Sequence, residues 1–126
     1  MGHFDIPLDL PHAGRISDRI VSLLERQAEV RGVDASEAVD IAEKISNLLF
    51  RFSANDENPP EAEALPIRDE AAALGRELVD SIITLNMTGD RLGQLVRNLF
   101  ECLELGAEGA EISLRAGEDP KSLQRP

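Results

Sequence analysis

The side chains best placed to do chemistry in this chain are carboxylates. Glu37, Asp40 and Glu43 follow one another at three-residue spacing, and the segment ELVD repeats that step with Glu77 and Asp80. Residues three apart on a helix share a face, so each group projects from one side of its own helix. If the two faces meet, Glu37, Asp40, Glu77 and Asp80 become candidate ligands for magnesium, a hard cation that takes carboxylate and water oxygens. The same residues also have an ordinary use. Asp40 stands four residues before Lys44, and Arg76 four before Asp80, as surface pairs worth ~0.2–0.5 kcal/mol each.

Other chemistries find less support. His3, Asp5, Asp9 and His12 have donor atoms, but their spacing matches no defined transition-metal site, and they read as surface decoration. A di-iron bundle needs Glu-x-x-His pairs on its helices, and neither histidine falls in a segment that reads as helical. The run DENPPEAEALPI puts proline and glutamate where a calcium-binding loop needs a turning glycine and alternating oxygen ligands. Cys102 is the lone cysteine and sits among apolar neighbours, which makes it a small core residue. There is no nucleophile triad or glycine-rich phosphate loop.

Four helical stretches must position the carboxylates. The first reads from Ser17, as cap, to Arg31, with Gly32 as its stop; Ile20, Leu23, Leu24, Gln27 and Ala28 share its inner face. The second opens at Asp34, which with Glu37 forms a capping-box variant. Its stripe of Ala38, Ile41, Ile45, Leu48 and Phe52 is widened by Ala42 and Leu49, which places it centrally in a bundle. The third begins at Pro66, a residue suited to a first turn, and runs through Ile67, Ala71, Leu74, Leu78, Ile82 and Leu85. Gly75 beside that stripe implies close approach of a neighbouring helix. After the turn NMTGD, Thr88 or Asp90 caps the fourth, which runs through Leu92, Leu95, Val96, Leu99, Cys102 and Leu103 to a stop at Gly106.

These elements predict a single all-α domain over residues 1–126: a four-helix bundle of two antiparallel helical hairpins joined by the acidic, proline-containing linker 54–65. Alternation of Phe4, Ile6, Leu8 and Leu10, and of Ala110, Ile112, Leu114 and Ala116, suggests short extended segments at both termini. Residues 118–126 read as a disordered tail.

Composition narrows the partners. The formal charge is −11, from 24 acidic against 13 basic residues, which opposes direct binding of nucleic acid or anionic lipid. No apolar run approaches the ~20 residues needed to span a bilayer, and MGHFDIPLDLPH lacks the basic start and apolar stretch of a signal peptide. Nor does it carry the serine or threonine of a myristoylation site. The expectation is a cytoplasmic protein without membrane partners. Val39, Phe50, Val79, Ile83 and Phe100 add apolar groups beyond the inner stripes, more than one bundle hides. They predict a homodimer, with Val39, Phe50, Ile83 and Phe100 as partner-binding residues.

The segment from Asp34 to Leu105 also resembles, in part, the all-α nucleoside triphosphate pyrophosphohydrolases, dimeric bundles in which a Glu-Glu-x-x-Glu helix precedes a Glu-x-x-Asp helix. Glu77 and Asp80 match the second motif, whereas Ser36, Glu37 and Asp40 stand where the first has three glutamates. The resemblance implies magnesium-dependent nucleotide hydrolysis. Lys44 and Arg76 are the nearest cations, and no basic cluster awaits a triphosphate. The leading expectation is therefore a helical protein-interaction module (adaptor, chaperone-like or regulatory subunit) without a cofactor, and the hydrolase is the alternative.

Overall fold

The computed structural model describes residues 8–87 and 90–103. They form four helices: α1 Leu10–Arg31, α2 Ser36–Asn55, α3 Glu61–Thr84 and α4 Asp90–Cys102. The chain is an all-α bundle, and among the described residues there is no strand. The segments 1–7, 110–116 and 118–126, which include most of the proposed extended ends and the tail, lie outside the described residues.

α1 starts seven residues before the expected Ser17. The carboxylate of Asp9 accepts from the backbone N–H of His12 (3.0 Å) and caps the first turn, where Pro11 loses no intrahelical bond. Leu10 therefore belongs to a helix, continuing the inner line of Ala13, Ile16, Ile20 and Leu24, all buried. Ser17 is buried mid-helix, its hydroxyl donating to the Ala13 carbonyl one turn back. His12, read as lying outside any helix, falls in the first turn of α1 and is exposed.

At the start of α2, Asp34 accepts from the backbone N–H and the hydroxyl of Ser36, and the expected bond to Glu37 is replaced by this local turn. The hydroxyl bond and then the amide bond hold the Asp34 carboxyl below its usual value. The inner face buries Ala38, Ile41, Ala42, Ile45, Leu49 and Phe52, while Leu48 is half-buried at its edge.

α3 begins at Glu61, so Pro66 lies inside the helix rather than at its start. Glu63 and Ala64 donate to the Pro60 carbonyl and nucleate the first turn ahead of the proline, and Ala64 is anchored in the core. With Ala54 and Asn55 still in α2, the connection shrinks from the expected 54–65 to residues 56–60.

Packing runs chiefly between α1 and α2, α2 and α3, and α1 and α4, whereas α3 and α4 meet over a smaller area. Where they meet, Gly75 lets the Phe100 ring in: a Cβ at Gly75 would stand 3.0 Å from Phe100 Cε1 and Cζ. Phe100 and Val79 are thus core residues and not part of an outward apolar surplus; Phe100 is 0% exposed. Cys102 is buried too, and its thiol is pushed up to about 11 by burial, then by the Asp9 and Glu101 charges against the lowering effect of Arg15, which favours the protonated form at neutral pH.

Residues 56–60 do more than span a gap. The Asn58 amide donates to the Leu8 carbonyl (3.2 Å), and its Oδ1 accepts from the Leu10 N–H (3.1 Å). Arg15 pairs with Asp56 at 3.2 Å, Arg51 with Glu63 at 2.9 Å, and the Asp9 N–H donates to the Cys102 carbonyl at 2.9 Å. The start of α1, the end of α2 and the end of α4 are thereby clasped together. Among the described residues no helix is long and apolar enough to cross a membrane.

Candidate functional site

Three of the four candidate metal ligands come to one place. The start of α2 and the last turns of α3 enclose a depression of about 300 Å³ lined by Glu37, Glu77, Asp80 and Asp34, with the Ser81 and Thr84 hydroxyls beside them. Asp40 is exposed on α2 and does not line it. Sequence reasoning misses Asp34, Ser81 and Thr84 as neighbours: Asp34 reads as a capping residue, and the other two follow Glu77 by four and seven residues, the spacing of one helix face.

The depression is open. Glu37, Glu77 and Asp80 are all solvent-exposed, so water screens their mutual repulsion and no desolvation favours a bound cation. Among the described residues, no three histidine, cysteine or acidic side chains converge closely enough to hold one metal ion. Magnesium prefers near-octahedral oxygens at about 2.0–2.1 Å and is usually held by one or two carboxylates with waters or substrate oxygens completing its shell, so here a pair of these carboxylates would supply only part of the coordination.

The candidate partner-binding residues lie at three different depths. Phe50 is 64% exposed on α2, whereas Val39 and Ile83 are half-buried and Phe100 is inside the core. Val39 and Phe50 lie eleven residues apart, about three turns, and so share one face of α2.

A second depression, of about 430 Å³, lies between α1 and α4, bordered by Arg19, Arg26 and Arg91 with Leu23 and Leu95 between them. The sequence shows Arg19 and Arg26 only as outer cover of the first helix. Their seven-residue spacing was the available signal, since it places both on one line along α1.

Comparison with protein-family models, with curated proteins and with solved structures returns no match.

Proposed function

We propose that this chain is a small acidic helical protein-interaction module that acts as a cytoplasmic homodimer in an adaptor, chaperone-like or regulatory role. The observation that carries the reading is Phe50: a large aromatic side chain, 64% exposed, on a helix whose inner face is otherwise filled. Single exposed apolar residues are ordinary on a monomer. Phe50 is distinguished by sharing its face with half-buried Val39, so a partner can cover both, and burying a phenylalanine contributes roughly 1.5–3 kcal/mol. A two-fold dimer would bury this strip twice.

Sedimentation equilibrium tests it. The expected mass is about twice the 13.8 kDa chain. Phe50→Asp should shift the protein toward monomer while leaving its helical circular dichroism intact, because the new charge is desolvated only when chains meet. A wild-type monomer at micromolar concentration would refute the homodimer.

The depression holding Glu37, Glu77 and Asp80 favours a second reading, a magnesium-dependent nucleoside triphosphate pyrophosphohydrolase. Native-state ligands raise stability by mass action. On the leading reading, millimolar magnesium or manganese leaves the melting temperature unchanged. An upward shift lost in both Glu77→Ala and Asp80→Ala, together with release of pyrophosphate from a nucleoside triphosphate, would establish the hydrolase instead.

A further inference from the structure

In a chain with nearly twice as many acids as bases, positive charge collects in the groove between α1 and α4. Arg19, Arg26 and Arg91 are all exposed, and among the described residues none of them makes an ion pair, whereas Arg15, Arg51 and Arg68 each have a carboxylate partner. Among the described side chains, Asp18 is the acidic one lining the groove, and it is engaged from the α2 side by the Ser46 hydroxyl. Of those side chains, three guanidinium groups thus border the groove with one carboxylate. Between them, Leu23 and Leu95 are half-buried and packed on the core.

We infer that this groove docks an acidic amphipathic helix of a partner protein. Arg19 and Arg26 are two turns apart, about 10 Å along α1. A helix laid along the groove has the same rise, so carboxylates at its positions i and i+7 meet those two arginines while an apolar residue at i+3 or i+4 meets Leu23 and Leu95. Arginine suits the role because its planar fork binds a carboxylate through two parallel hydrogen bonds and it is always charged. A polyphosphate or nucleic-acid strand makes no use of the leucines, and its dense charge is repelled by the chain's −11 far more than a helix carrying a few carboxylates. The groove belongs to α1 and α4 and Phe50 to α2, so this docking stands or falls separately from the proposed dimer.

The test uses the full chain and a fluorescent synthetic helical peptide of roughly four turns, with glutamates at i and i+7 and leucines at i+3 and i+4, followed by fluorescence anisotropy. Its control carries glutamine in place of every glutamate. The expected result is binding of the glutamate peptide alone, weakened at least about tenfold by the Arg26→Glu and Arg91→Glu pair and by high salt. The milder Arg26→Gln and Arg91→Gln pair should weaken it less, with the helical circular dichroism unchanged in both variants. Absence of binding, equal binding of the glutamine peptide, or indifference to charge reversal would overturn the inference. So would a melting-temperature rise with inorganic triphosphate when the peptide does not bind, which would make the groove a phosphate site. A fall in sedimentation mass on charge reversal without peptide binding would overturn it in favour of a second copy.

Discussion

Replacing Asn58 by alanine removes two hydrogen bonds at once, the 3.1 Å bond from the Leu10 N–H and the 3.2 Å bond to the Leu8 carbonyl. The first is part-buried and satisfies one of the four N–H groups that the start of a helix leaves without an internal partner. The second is exposed, and water replaces it cheaply. At about 0.5–1.5 kcal/mol for an ordinary bond, with the part-buried one toward the upper end, the loss sums to roughly 1–2 kcal/mol. Asn58→Asp keeps the acceptor at a helix N-terminus, where negative charge is favoured, but turns an acceptor oxygen toward the Leu8 carbonyl, so it should lose no more than Asn58→Ala does. The chain has no tryptophan or tyrosine, so urea unfolding is best followed by far-ultraviolet circular dichroism. A stability change of this size moves the urea midpoint by roughly 0.5–1 M. Hydrogen exchange at the Leu10 amide should accelerate in Asn58→Ala before exchange in mid-α2 does. If Asn58→Ala falls within about 0.3 kcal/mol of the wild type, or Asn58→Asp is the worse of the two, the clasp does not stabilise α1 and residues 56–60 are a passive spacer.

Gly14→Ala should destabilise although alanine is the better helix former by about 1 kcal/mol, because its Cβ would lie 3.0 Å from Ser53 Cβ and 3.2 Å from Leu49 Cβ, atoms that move only with α2 itself; thermal melts should show a net loss of up to about 2 kcal/mol, relieved in the double variant with Ser53→Gly. Phe100→Ala should cost about 3–5 kcal/mol in the same melts, as a fully buried ring does, without the selective loss of association expected of Phe50→Asp. The Cys102 thiol, raised in the fold to about 11, contributes stability that is fully present below its unfolded value near 9.0 and is lost as pH rises through the folded value. Melting temperature should therefore decline more steeply between those pH values in the wild type than in Cys102→Ala, and disulfide-exchange labelling at pH 8 should be slow until urea is added.

Periodicity alone was enough to specify four helices, because an inner stripe repeating every three or four residues can be buried only by a helix. It also marked Gly75 as a point of close approach, and the Phe100 ring against it is the reason. Helix starts were less legible. The first helix reads from Ser17 and the third from Pro66, yet α1 and α3 begin earlier because Asp9 and Pro60 supply first-turn acceptors and because Leu10 and Ala64 have core to bury. Sequence spacing placed Glu77 and Asp80 on one face but is silent on depth, since exposure depends on how far apart α2 and α3 stand. Only packing between helices distant in sequence decided that Phe100 goes inside while Phe50 stays out. The same packing made residues 56–60 a clasp, as Asn58 reaches the backbone of Leu8 and Leu10 some fifty positions earlier. It also set Arg91 across a groove from Arg19 and Arg26. Local patterning carries information over a few turns of one helix, whereas juxtaposition across helices is a property of the folded bundle.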